Sequence, residues 1–216
     1  MSHMTDKVAL ITGASSGIGR ATAEAFAANG ARVVLAARRE EELASLVKEI
    51  EARGGKATAI RTDVSVASDV EKMVTHAVET FGRLDYAVNN AGIEGQWALV
   101  SDLPEEEWDR VLGINLKGAF LGLKYESRAM LADGHGGAIV NVGSVNSFLG
   151  FASGSAYVAS KHGLIGLTTS VSAELAPQGI RVNLIGAGIV AAPMQRRARG
   201  AIGDALYDQV LQHSVH

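Results

Sequence analysis

The chain has 216 residues, 47% of them hydrophobic, with a formal net charge of -3; this is material for one substantial core and predicts a single domain over residues 1–216 rather than two. It contains no cysteine, so disulfide scaffolds, thiolate metal sites and cysteine nucleophiles are excluded together. Its basic residues are scattered rather than clustered, which speaks against nucleic acid or an anionic membrane and leaves small-molecule chemistry.

Apolar stretches are broken by charge or glycine well before the ~20 residues of a membrane span. No secretory signal is read ahead of the first apolar run, so a cytoplasmic protein is expected. Met1 to His3, ahead of a second methionine at Met4, read as an expression scar outside the fold. A strand is predicted over Val8 to Thr12, then a glycine-rich turn and a helix from Ile18 to Asn29 closed by Gly30. The β-branched run Arg32 to Ala37 forms the next strand, followed by an amphipathic helix over Glu40 to Arg53 that stops at Gly54 and Gly55. Strand Lys56 to Thr62 precedes a helix whose start carries the capping-box pattern Ser68 to Glu71. Strand Leu84 to Val88, a helix opened by Pro104, strand Ala138 to Val142, a helix over Tyr157 to Leu175 and strand Arg181 to Ile185 complete the series.

Strands that alternate with helices and are apolar on nearly every residue must be covered on both faces, which predicts a doubly wound α/β fold with a parallel sheet. Right-handed crossovers favour the strand order 3-2-1-4-5-6, with a ligand crevice where the order reverses beside the first strand.

The turn Thr12-Gly13-Ala14-Ser15-Ser16-Gly17-Ile18-Gly19 lies between that strand and its helix. Glycines there let backbone approach a pyrophosphate, and the helix N-terminus offers unpaired N–H groups. Gly13, Ser15, Ser16, Gly17, Ile18 and Gly19 are therefore candidate dinucleotide contacts. An NAD site ends its second strand with an acid that bonds the ribose hydroxyls; here the text is Ala36-Ala37-Arg38-Arg39. A guanidinium at Arg38 matches a 2'-phosphate, which favours NADP over NAD. The competing reading makes Arg38 and Arg39 a solvated pair at a helix start.

Tyr157 and Lys161 lie one helical turn apart, so both project from one face. Carbonyl reduction needs a proton donor at the nascent alkoxide, and a phenol beside a cation supplies one. Ser144, at the carboxyl end of a strand, is placed to donate to a substrate oxygen, or else only caps local backbone.

Taken in order, the turn at Thr12 to Gly19, Asn89-Asn90-Ala91-Gly92, Asn115 within Ile114-Asn115-Leu116, Ser144, and Tyr157-Val158-Ala159-Ser160-Lys161 resemble the motifs of the short-chain dehydrogenase/reductase family. The resemblance runs from Lys7 to about Met194. It implies an NAD(P)-dependent oxidoreductase that moves a hydride between nicotinamide and a carbonyl or secondary alcohol. Tyr157 would be the acid/base and Ser144 would orient the carbonyl. Lys161 would lower the Tyr157 pKa and hold the nicotinamide ribose, and Asn115 would complete the tetrad through a water-linked relay. Asp63 and Val64 would meet the adenine, Asn90, Ala91 and Gly92 the adenosine ribose, and Gly188 and Val190 the nicotinamide pocket. Asn89 would tie the central strands together. A homo-oligomer, dimer or tetramer, is implied as well.

The chain departs from the family after its sixth strand, where Ala187-Gly188 and Ala192-Pro193-Met194 stand in place of Pro-Gly and Thr-Pro-Met. A hydroxyl contact to the carboxamide is thereby missing. The family continues past the position of His216 into another helix and a seventh strand, so a truncated C-terminus is expected. A catalytically silent NADP-binding regulator stays open on these grounds, while the glycine spacing disfavours a nucleotide-sugar epimerase. The histidines show no ligand spacing, and no metal is expected. Gln96, Trp97, Asn146, Phe148, Phe151 and Met194 form a mixed pocket rim, suited to cyclic alcohols, ketones, sugars or 3-oxoacyl groups.

Overall fold

The computed structural model describes residues 4–188, 190 and 200. Six parallel strands stand in the order β3-β2-β1-β4-β5-β6: β1 Val8–Thr12, β2 Arg32–Ala37, β3 Lys56–Arg61, β4 Tyr86–Asn89, β5 Gly137–Val142 and β6 Ile180–Ile185. The expected doubly wound topology is the observed one. Sheet order reverses beside β1, where Ile11 pairs with Leu35 of β2 on one side and with Val88 of β4 on the other. The stretch after residue 188, where the chain is expected to stop short of a seventh strand, lies outside the described residues apart from Val190 and Gly200.

Every residue of β1 is buried, and side-chain alternation divides them between two cores. Val8 and Leu10 pack with Val70, Met73, Leu123 and Met130, from helices α3 (Ala67–Phe81) and α5 (Gly118–Asp133). Ala9 and Ile11 pack with Ala23, Leu43, Leu46 and Ile50 on the opposite face, from α1 (Gly17–Ala28) and α2 (Glu40–Ala52). Helix α6 (Ser155–Leu175) lies along β6. No helix among the described residues is long and apolar enough to cross a membrane.

Element bounds differ from the expected ones in instructive ways. The capping box at Ser68 is not formed: α3 begins at Ala67 with Val66 as its N-cap and no side-chain cap. The preceding turn is instead closed by Asp63, whose Oδ1 accepts from the backbone and hydroxyl of Ser65, and by Asp69, which accepts from the Asp63 N–H. The helix opened by Pro104 runs as α4 (Glu105–Leu112) into a π-helical turn, Gly113–Lys117, and on into α5. Single-turn π insertions carry a widened backbone ring and recur at functional sites.

Strand β4 starts after Asp85, a buried carboxylate at the amino-terminal rim of the sheet. Asp85 accepts from the Val8 N–H, Lys7 and Arg83. Burial alone would raise its pKa, but those donors together hold it below the usual carboxylate value. The stability it contributes is present above the ordinary aspartate range and lost as pH falls through the lowered value. Asp85→Asn should lower unfolding free energy at pH 7 by about 1–3 kcal/mol. Urea melts should show this gap close as pH falls below the ordinary aspartate range, and a gap constant with pH would refute the account.

Candidate active site

The glycine-rich turn joins β1 to α1 through left-handed backbone at Gly13 (φ +66) and Gly17 (φ 58). Thr12 anchors it: its Oγ1 accepts from Asn90 N at 3.0 Å and Ala91 N at 3.1 Å and donates to the Val88 carbonyl. Asn90 Nδ2 returns a bond to the Thr12 carbonyl at 2.9 Å. The end of β4 is thus laced to the turn, and a Cβ on Gly13 would lie 2.7 Å from that amide nitrogen.

A cavity of about 530 Å³ opens above these strand ends. Gly13, Ser15, Ser16, Gly17 and Ile18 line one part of it, Arg38, Asp63 and Val64 a second, and Asn90, Ala91 and Gly92 a third, with Gly188 and Val190 opposite. Gly19 is not on the lining; it is buried, and a Cβ there would meet the Gly13 carbonyl oxygen at 2.5 Å. Its contribution is the close approach of α1 to the turn.

These residues fit a dinucleotide phosphate. Ser16, the N-cap of α1, makes no side-chain cap bond, and the first turn of α1 carries no acid. The helix therefore directs uncapped N–H groups and the positive end of its dipole at the cavity.

Arg38 is exposed at the mouth, and among the described residues its charge acts on Asp63. Burial would raise the Asp63 carboxyl; the bonds from Ser65 and the charges of Arg38 and Arg61 outweigh it and hold the group low. Arg39 lies across the phosphate turn, with Nη2 donating to Ser15 Oγ and Ser16 Oγ, each at 2.8 Å. It also pairs with Glu42 at 3.2 Å, so it belongs to the site as well as to the helix start.

The far end of the cavity is built by β5 and α6. Ser144, just past β5, has a hydroxyl that accepts from Asn146 N at 3.2 Å, while its own N–H donates to Ser147 Oγ. The capping role weighed for it is therefore real, and the residue also faces the cavity together with Tyr157 and Lys161. Lys161 is only 5% exposed. Its Nζ donates to the Val142 carbonyl at 2.8 Å and stands 5.7 Å from the centre of the Tyr157 ring. Burial pushes the ammonium down to about 8.

Burial pushes the Tyr157 phenol above its ordinary value; the neighbouring Ser144 hydroxyl opposes this and the charge of Glu94 adds to it. The lowering implied for Lys161 is not among these influences. The ammonium is itself desolvated and already bonded to Val142.

Asn115 sits in the π turn behind the cavity wall rather than on it. Its side chain accepts from Ile93 N at 2.8 Å and donates to the Ile93 carbonyl and to Ser160 Oγ. Ser160 in turn donates to the Tyr157 carbonyl at 2.7 Å. A Cβ on Gly92 would lie 3.3 Å from Asn115 Oδ1 and 3.7 Å from Lys161 Nζ, so these three positions converge at one point.

Ser147 and Ser160 went unread in the sequence as parts of the site, Thr12 was read only as the start of the turn, and Arg39 only as the second guanidinium at the strand end. Thr12, a hydroxyl ending a buried strand, carried the one usable signal. Among the described residues no group of three acidic, cysteine or histidine side chains is arranged to hold a metal. Ala192 and Met194 lie outside the described residues.

Residues 7–202 match the family model described as short chain dehydrogenase. The chain is 44% identical over 189 residues to cyclohexanol dehydrogenase of Acinetobacter sp. (strain SE19), covering 88% of this chain and 75% of that protein. It is 41% identical over 202 residues to the 3beta-hydroxysteroid dehydrogenase of Mediterraneibacter gnavus, covering 94% and 72%. The solved structure of levodione reductase superposes with a TM-score of 0.91 at 37% identity, over 96% of this chain and 81% of that one. Sequence and backbone agree over nearly the whole described fold: the chain belongs to the short-chain dehydrogenase/reductase family of nicotinamide-dependent oxidoreductases.

Proposed function

We propose that this chain interconverts a ring ketone and the corresponding secondary alcohol with NADP(H), using Tyr157 as proton donor and acceptor. The carrying observation is that Tyr157, Ser144 and Lys161 share one cavity with the glycine turn and Arg38. A bound nicotinamide supplies or accepts the hydride, and the protein side chains manage the proton and the carbonyl oxygen.

Ser144 Oγ accepts from Asn146 N and donates a long bond, 3.4 Å, to Asn146 Oδ1; a substrate oxygen in the cavity would take that proton in place of the amide. Tyr157 stays protonated at neutral pH because burial holds its pKa high, the state needed to protonate an alkoxide. Lys161 places a positive charge beside that phenol, and Asn115 fixes the loop at Ile93 and, through Ser160, the backbone of Tyr157. Support for the substrate class comes from relatives named for cyclohexanol, levodione and 3beta-hydroxysteroids. The tilted pair Trp97 and Phe151, 4.8 Å between ring centres, adds apolar surface close to the start of α6.

The chain is proposed to act as one domain and as a cytoplasmic homo-oligomer. Exposed Trp108 on α4 and Phe120 and Leu131 on α5 offer apolar surface for association. No observation favours the silent-regulator reading.

The test is turnover of cyclohexanone, cyclohexanol, a 3-oxosteroid, a 3-oxoacyl thioester and an aldose with each cofactor. Highest kcat/KM on a ring ketone with NADPH is expected. Highest kcat/KM on the acyl thioester or the sugar would overturn the substrate reading, and stoichiometric dinucleotide binding without turnover would restore the regulator.

A further inference from the structure

A buried chain of polar side chains outside the cavity lining centres on Glu126 of α5. It is completely buried, 0% exposed. Its Oε2 accepts from Asn89 Nδ2 at 3.0 Å, while Oε1, also buried, has no hydrogen-bond partner among the described residues. The same Asn89 nitrogen donates to Asn141 Oδ1 at 3.1 Å, and Asn141 Nδ2 donates to Thr168 Oγ1 at 2.9 Å. One chain of hydrogen bonds therefore joins α5, β4, β5 and α6.

Three of those elements, β4, β5 and α6, lead into the candidate active site. Asn90, Ala91 and Gly92 follow Asn89 directly. Val142, the acceptor of Lys161, follows Asn141, and Thr168 shares α6 with Tyr157 and Lys161. Helix α5 reaches Asn89 only because position 122 is glycine: a Cβ there would collide with Asn89 Oδ1. Gly122 and Glu126 lie one turn apart on the same face, so the helix meets the strand end by contact at one turn and by carboxyl at the next.

We propose that Glu126 is a positioning residue for the active site: its buried carboxyl grips Asn89 and so fixes the end of β4, from which the cavity-lining residues run. The inference rests on the dinucleotide-site reading above. Asn89 has one amide nitrogen with two hydrogens and two acceptors, Glu126 and Asn141. Removing the carboxyl leaves one hydrogen unsatisfied in the core and frees the amide to rotate.

Burial raises the carboxyl to about 7, opposed only by the Asn89 bond, so it is held protonated below that pH. No other charge acts on it. Helix α3 presents apolar Val70, Met73, Val74 and Ala77 to the core. Its His76 is bonded to Thr58, and Glu71, Lys72 and Glu79 are exposed. Asp85 ahead of β4 is held by Lys7 and Arg83, and β5 has no ionisable residue. On α6, Lys161 is bonded to Val142, and His162 and Glu174 are exposed. On α5 itself Lys124 and Arg128 lie by the Tyr125 ring, and Asp133 pairs with Arg83 and His135. Lys117 of the π turn is exposed.

The sign follows from proton binding. Between the ordinary glutamate range, near pH ~4.3, and about 7, the folded chain holds a proton that the unfolded chain has released. Its stabilisation is thus complete at low pH, falls across this window and is gone above it. Lys161, lowered to about 8, acts in a separate window above pH 8 and with opposite slope.

The experiment compares the 216-residue chain with Glu126→Gln and Glu126→Val. In urea melts from pH 4.5 to 8.5, the wild-type folding constant relative to Glu126→Gln should fall by about tenfold per pH unit up to about 7 and then level off. In fluorescence titrations with NADPH at pH 6.5, Glu126→Val should raise the Kd by about tenfold, and Glu126→Gln, which keeps the acceptor, should restore it to near wild type. Parallel wild-type and Glu126→Gln stability curves, or NADPH binding by Glu126→Val equal to wild type, would overturn the proposal. Should Glu126→Val not fold, the wild-type and Glu126→Gln melts decide alone. If wild type bound no NADPH, the functional reading would fail, while the melts, which need no dinucleotide, would still judge Glu126.

Discussion

Tyr157→Phe should lower turnover by roughly 10² or more while leaving the dissociation constant of NADPH nearly unchanged. The substitution removes one oxygen and keeps the ring, so the contact between ring and Lys161 ammonium survives, as does the Lys161 bond to the Val142 carbonyl. What disappears is the cavity-lining phenol that, on the proposed mechanism, exchanges a proton with the substrate oxygen. Burial holds the phenol protonated, so in the wild-type protein ketone reduction should persist through neutral pH, and alcohol oxidation should gain as pH rises. Stopped-flow hydride transfer and equilibrium NADPH titration on the same preparation separate chemistry from binding. Turnover within a few-fold of wild type in Tyr157→Phe would remove this residue from the mechanism.

Most of the fold could be read in the sequence because parallel strands buried on both faces leave continuous apolar runs such as Val8 to Ile11, and helices between them end at glycines. Helix starts were harder. Ser68 and Glu71 have the letters of a capping box, yet the chain enters α3 through an aspartate turn at Asp63 to Ser65, a tertiary choice that local letters do not encode. The π turn around Asn115 was invisible for a related reason, since the widened hydrogen-bond ring of a single turn is marked by no residue type.

In the site, Ser144, Tyr157 and Lys161 were found by their chemistry and spacing, and the structure brings all three to one cavity. The direction of the Tyr157 shift was not legible. It depends on how deeply the phenol and the ammonium are both desolvated, and burial is a property of the packed chain. Glu126 carries no signal in the sequence; only the approach of α5 to Asn89, permitted by Gly122, makes it a core residue.

Arg38→Ala should weaken NADPH binding by roughly 10-fold to 150-fold, the span of a charge-assisted contact of about 1.5–3 kcal/mol, while barely changing NADH. A 2'-phosphate carries close to two negative charges, and β2 ends in Ala37, where a carboxylate would otherwise repel it. Arg38 is the next residue, lies at the cavity mouth, and among the described residues acts through its charge on Asp63. Its exposure places the expected effect toward the lower end of the span, since water and salt screen it. Arg39 is differently engaged. Its guanidinium is committed to Ser15, Ser16 and Glu42, and with those hydroxyl lone pairs occupied, the two O–H groups are left to donate to whatever sits in the turn. That service does not distinguish the two cofactors, so Arg39→Ala should weaken NADPH and NADH alike. Ala37→Asp should reverse the preference by adding ribose hydrogen bonds and a like-charge penalty. The measurement is the ratio of the NADPH and NADH dissociation constants in wild type and the three variants, at fixed salt. A wild-type ratio favouring NADH, or a ratio that Arg38→Ala leaves unchanged, would reduce Arg38 to a solvated residue at a helix start.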